Sequence, residues 1–156
     1  MPINPRVSAN IEDIKRLYMR ADSHSRTRRR GGKDVRYIEA FLLQTALLEG
    51  VLVNYGLKLL EDRKDLNALR SKRGSWYGYD NAINDLYLLG VINTKEFKDL
   101  EKFKAERNKY IHNLLSEDTE IVEGKVIRIY KEYKDLVWKM IEQLERKIKK
   151  TNKLSI

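Results

Sequence analysis

After Pro5 the chain carries no proline as far as its last residue, Ile156. Proline fixes φ and lacks an amide donor, so it punctuates short strands and tight turns. Its absence over such a length, with only eight glycines in the chain, predicts long helices rather than a sheet. At 156 residues the chain is large enough for one domain with a core that needs no covalent staple. It has no cysteine, which excludes a disulfide scaffold and any Cys-ligated zinc or iron–sulfur centre. Hydrophobic residues make up 42% and charged residues 35%, a balance that favours a globular chain over a disordered one.

Hydrophobic spacing then divides the chain. A first helix is expected from near Ser8 to about Arg29, with Ile11, Ile14, Leu17 and Tyr18 as a narrow apolar stripe. A second begins at Asp34, a natural cap, and reaches about Asp62. Its clusters (Phe41 to Leu43, Ala46 to Leu48, Val51 to Val53) cover most of its circumference, which marks a central helix. Gly50 and Gly56 inside it suggest close crossings by neighbours. Residues 66–90 are more broken: a short helical turn, a loop from Gly74 to Gly78, then a helix over Asp80 to Leu89 closed by Gly90. Asn93 with Glu96 three residues later forms a capping-box pattern, opening a helix to Asn113 or Leu115. A polar loop through Gly124 precedes a last helix over Val126 to Lys150. The expectation is an all-α, up-and-down bundle of about five helices. It comprises a basic N-terminal helix or arm (1–33), the bundle proper (34–150) and a short tail (151–156).

The N-terminus has no apolar segment of secretory type. The most apolar stretch, Ala40 to Leu60, is interrupted by Gln44, Thr45, Glu49, Asn54 and Lys58 and is not expected to span a membrane. A soluble, cytoplasmic protein is the expectation. The formal charge is +9, from 32 Lys and Arg against 23 Asp and Glu. Residues 1–36 supply ten basic and four acidic side chains, +6 of that total. Arg26, Arg28, Arg29, Arg30 and Lys33 form the densest cluster. Such a cluster is either a phosphate-neutralising footprint for RNA or a solvated helix end, and composition leaves both open. The C-terminal run from Glu145 to Lys153 reads as a helix end whose cations meet the dipole.

The helix from Asn93 carries the most informative side chains. Its apolar face reads Phe97, Leu100, Phe103, Tyr110, Ile111 and Leu114, and the gap in that stripe is filled by Arg107. A guanidinium in a core register must either snorkel or find a partner. Asn108 and His112, four residues apart, share one face. Glu49, ringed by leucines on the central helix, is an acid in need of a partner and is assigned a supporting role.

The run Arg107-Asn108-x-x-x-His112 resembles the R-x4-6-H motif of HEPN domains, the higher eukaryote and prokaryote nucleotide-binding family. The resemblance covers roughly residues 34–150, with a long helix bearing an acid, a variable middle, the motif helix and one more helix. It implies a metal-independent endoribonuclease without cofactor, of the kind found among toxins and antiviral effectors that act as dimers, some beside a cognate antitoxin. Arg107 and His112 would then be the catalytic pair, with Asn108 in support. An imidazole near its ordinary pKa of about 6.5 can take a ribose 2′-hydroxyl proton, and a guanidinium fork can hold the phosphate. In one branch of the family a tyrosine follows two residues after the histidine; here that position is Leu114.

Along an ideal helix, five residues rotate about 500°, leaving Arg107 and His112 about 140° apart. Either the helix unwinds before His112, or two motif helices face each other across a two-fold axis. Plainer readings stand alongside. Arg107 also fits a structural ion pair with Glu49 or Glu106, which is compatible with a catalytic role. A lone His112 would read as an ordinary half-buried histidine, a reading the adjacent Arg107 and Asn108 outweigh. His24 reads as a surface residue. Trp76, Tyr77 and Tyr79 either stack bases or, more simply, pack a loop on the bundle. With two histidines and no cysteine, no metal-ligand spacing stands out, and phosphate-binding loops and serine-hydrolase motifs are absent. Two rival classes remain: a non-catalytic HEPN-like module that binds RNA or protein, and a helical scaffold whose basic arm meets nucleic acid.

Overall fold

A computed structural model describes residues 12–13, 15–20, 22–23, 36–73, 77–113 and 119–154. Among these residues there is no strand, and the fold is an all-α bundle. Helix α1 is seen within residues 12–23. It is followed by α2 (Arg36–Asp62), a 3-10 turn (Lys64–Leu66), α3 (Asn67–Arg73), α4 (Tyr79–Leu88), α5 (Thr94–Asn113) and α6 (Thr119–Leu154).

The core forms around α2, whose Ala40, Phe41, Leu47, Leu48, Val51 and Leu52 are buried. Opposite it α6 supplies Ile129, Tyr130, Val137 and Ile141, and α5 supplies Leu100 and Phe103. Phe103 sits edge-on to Phe41 and to Tyr133, with ring centroids 6.5 and 5.0 Å away. Burying one such ring stabilises the fold by about 1.5–3 kcal/mol. Helix α5 runs antiparallel to α6: Glu96 pairs with Lys139 at 3.1 Å and Lys102 with Glu132 at 3.4 Å.

Several boundaries follow from local chemistry. Asn93 Oδ1 accepts the Glu96 amide at 2.8 Å while Glu96 Oε1 accepts the Asn93 amide at 3.2 Å, the reciprocal capping box expected there. At the end of α4, Gly90 adopts φ +72° and the Val91 amide donates to Leu86 O at 2.9 Å, the six-to-one bond of a Schellman closure.

Other expectations need correction. Helix α6 begins at Thr119, not near Val126, and runs through Gly124. Its φ is not positive, and a Cβ there would meet nothing within 4 Å, so neither backbone conformation nor close packing requires a glycine. The helix also continues to Leu154, past Lys150. Of the two suspected crossings, only Gly56 is one: a Cβ there would collide with the Tyr77 hydroxyl, whereas one at Gly50 would face open space. The segment Ile38–Asp62 does have the length and composition to cross a membrane, because its polar interruptions are too few. Yet 56% of its most apolar 18-residue stretch is buried inside the molecule, as in the core helix of a bundle.

Two polar clasps close the bundle. Asp85, fully buried, accepts from Arg73 Nη2 at 2.5 Å and from the Tyr77 hydroxyl at 2.9 Å, tying the end of α3 and the following segment to α4. At the other clasp, Tyr18 of α1 lies in the core and its hydroxyl accepts from Gln44 Nε2 at 3.2 Å. Asp22 accepts from the Tyr130 hydroxyl at 2.6 Å and from Lys134 Nζ at 2.9 Å. Helix α1 is thereby part of the same packed unit as α2 and α6.

Candidate functional site

Helix α5 is regular through Asn113, so the helix does not unwind between Arg107 and His112. The two side chains therefore take opposite courses. Arg107 turns toward α2, with 14% of its side-chain surface exposed, while His112 is solvent-exposed in the last turn. Among the described residues no hydrogen bond joins His112 to Arg107, Asn108 or Glu49.

Arg107 is held on three sides. Its Nη1 donates to Glu49 Oε2 at 3.0 Å. Nε and Nη2 both donate to Asn108 Oδ1, at 3.3 and 3.2 Å. The guanidinium carbon lies 5.6 Å from the centroid of the Tyr79 ring, within cation–π range. A guanidinium has five N–H donors, and these contacts engage one on each nitrogen. One N–H on each terminal nitrogen remains for another acceptor. Of the two carboxylates weighed as its partner, Glu49 fills the role. Glu49 is less buried than its leucine surroundings suggested: 47% of its side chain is exposed. It sits at the rim of the core, where a fixed cation can also meet solvent.

The platform beneath Arg107 comes from α4. The Tyr79 hydroxyl donates to Leu100 O at 2.8 Å, seating the first residue of α4 on α5. Burial, with Asp80 and Glu49 nearby, pushes this phenol well above its ordinary range, although Arg107 opposes the shift. Lys104, one turn before Arg107, lies 5.8 Å from the same ring and pairs with Asp80. Two cations, Arg107 and Lys104, thus share one aromatic ring, and each has its own carboxylate, Glu49 and Asp80. Further along α5, Lys109 lies 6.0 Å from the Tyr110 ring, and Lys125 of α6 lies 5.9 Å from the same ring.

The structure brings Arg107, Asn108 and Glu49 together and leaves His112 apart. Tyr79 and Lys104 were not singled out with Arg107 from the sequence. Lys104 was legible as its i−3 neighbour, while the contact with Tyr79 depends on how α4 folds back. Ile111, placed in the apolar stripe, is 37% exposed, because only Tyr110 of that pair faces the core. Arg26, Arg28, Arg29, Arg30, Lys33, His24, Trp76 and Leu114 lie outside the described residues. No group of three or more His, Asp or Glu converges as a metal site among the described residues. Comparison of the chain with known protein families, curated proteins and solved structures found no match.

Proposed function

We propose that the chain is a metal-independent endoribonuclease of HEPN type, acting in the cytoplasm as a homodimer with an Arg/His site shared between two copies. The observation that carries this reading is the fixed guanidinium of Arg107, held by Glu49 and Asn108 on an unbroken helix that also bears His112. Because the two groups diverge on one helix, Arg107 of one copy faces His112 of a second. His112 takes the proton from a ribose 2′-hydroxyl, and the freed oxygen attacks the adjacent phosphorus. The bond from phosphorus to the 5′-oxygen breaks, giving a 2′,3′-cyclic phosphate and, once that oxygen gains a proton, a 5′-hydroxyl end. Arg107 offers its two remaining N–H groups to the phosphoryl oxygens as their charge grows. Arg26, Arg28, Arg29, Arg30 and Lys33 supply sequence-independent attraction for the RNA backbone. A toxin or defence effector, restrained by a cognate antitoxin protein, is the setting such chemistry suits.

The test is cleavage of RNA by purified protein in EDTA, beside Arg107→Ala and His112→Ala. Each substitution is expected to lower the rate by about 100-fold or more while folding and self-association persist. Equal cleavage by both variants and the parent protein defeats the reading. A second reading, a non-catalytic HEPN-like module for RNA or protein, draws on how thoroughly Glu49 and Asn108 already occupy Arg107. It is the outcome if the protein binds RNA and cuts none.

A further inference from the structure

A separate cleft of about 270 Å³ opens between α2 and the far end of α6, lined by Tyr55, Gln143, Arg146 and Lys150. Among the described residues, neither Arg107, Asn108, His112 nor Glu49 lines it. Arg146 and Lys150 stand four residues apart and so share one face of α6. Arg146 makes a loose contact of 3.6 Å with Glu142, and Lys150 has no ion pair among the described residues. The wall between them and α2 is Tyr55, a mostly buried side chain. Gln143 adds an amide whose Oε1 is closed off from water and meets no donor.

We infer that this cleft binds a small organic phosphate monoester. A guanidinium fork beside an ammonium matches the dianionic phosphate better than a single carboxylate, which one of the two cations would satisfy. The organic part lies along Tyr55, where the lining is mainly apolar. The volume falls just below the range of about 300–1,000 Å³ typical of small-molecule sites, so the occupant carries about one ring. The terminal torsion of a glutamine is soft, so a hydroxyl of the occupant can draw the amide of Gln143 out of its unsatisfied position. Lysine and arginine near a helix C-terminus also serve the helix dipole. That role explains neither the unpaired Oε1 of Gln143 nor the cleft that this residue lines. The same phosphate chemistry is carried by a free sugar phosphate and by the 5′-phosphorylated end of an RNA.

The experiment is NMR titration of the full chain at low salt with ribose 5-phosphate, beside ribose and inorganic phosphate. Saturable shifts are expected at Tyr55 and at the Gln143 side-chain amide. Arg146→Gln and Lys150→Gln, both exposed sites, should each weaken binding by about fivefold or more. Ribose alone should not bind, and inorganic phosphate should bind more weakly than the ester. A parallel titration with a 5′-phosphorylated and a 5′-hydroxyl dinucleotide identifies the source. Tighter binding of the phosphorylated dinucleotide than of ribose 5-phosphate assigns the site to RNA ends, and the reverse order assigns it to a free metabolite. Shifts that do not saturate, binding unchanged in both variants, or inorganic phosphate binding as tightly as the ester overturns the inference. Because the cleft shares no residue with the Arg107 site, loss of RNA cleavage in Arg107→Ala leaves this result unaffected.

Discussion

Glu49 and Arg107, 58 positions apart in the chain, meet through a 3.0 Å bond from Nη1 to Oε2 that joins α2 to α5. The carboxylate is half-exposed and the guanidinium mostly covered, so their partnership orients Arg107 more than it stabilises the bundle.

Glu49→Gln is therefore expected to change unfolding free energy by no more than about 1 kcal/mol. On the proposed reading it lowers kcat for RNA cleavage about tenfold with a smaller change in KM, the mark of a positioning residue. Urea unfolding and steady-state kinetics check the two halves. Sharp guanidinium N–H signals of Arg107 in the parent protein should broaden in the variant, a readout that needs no activity.

A site shared between copies has a simple complementation behaviour. Neither Arg107→Ala nor His112→Ala retains an intact Arg/His pair alone. Mixed in equal amounts and allowed to exchange, half of the dimers become heterodimers with one intact site of two. Activity should return to about a quarter of the parent value. No recovery after demonstrated subunit exchange rules out the shared arrangement.

The two glycines of α2 should respond oppositely to alanine. Gly56→Ala drives a methyl group into the Tyr77 hydroxyl, which also serves Asp85, and should cost about 1–3 kcal/mol. Gly50→Ala meets open space and should be neutral or stabilising by up to about 1 kcal/mol. Denaturant midpoints of the two variants give the comparison directly.

Alkaline pH should unfold the bundle in a defined window. Burial is the main cause that lifts Tyr18 from 10.0 to about 12, and it lifts Tyr77, Tyr79, Tyr130 and Tyr133 as well. Below pH 10 both folded and unfolded chains hold these protons, and the stability is fully present. Above it the unfolded chain releases protons that the folded chain retains, so stability falls as pH rises from about 10 through 12. Each such tyrosine contributes a slope of up to about 1.4 kcal/mol per pH unit. Urea midpoints between pH 9 and 12, followed with tyrosinate absorbance, should show this fall; a flat profile contradicts it.

What the sequence made legible was local or periodic. The Asn93–Glu96 box and the Gly90 closure depend on side chains within a few residues of the bonds they make, and both stand as read. The gap that Arg107 left in an apolar stripe pointed to a buried cation, and the leucine-ringed Glu49 pointed to a matching acid. Long-range polar bonds left no such trace. Asp85 reads as one more acid on a polar helix face, and only the return of Arg73 and Tyr77 makes it a clasp. Asp22 likewise gains its meaning from Tyr130 and Lys134, more than a hundred positions away. The sequence places the start of α6 too late because Gly124 and the β-branched Thr119, Ile121 and Val122 carry weaker helix propensity, which an extended helix of 36 residues overrides.

The uninterrupted winding of α5 has a kinetic corollary. If cleavage requires two copies, a solitary chain carries half of each site, and turnover at high dilution grows with the square of protein concentration. Abundance itself then sets a threshold, below which the protein is present yet chemically silent.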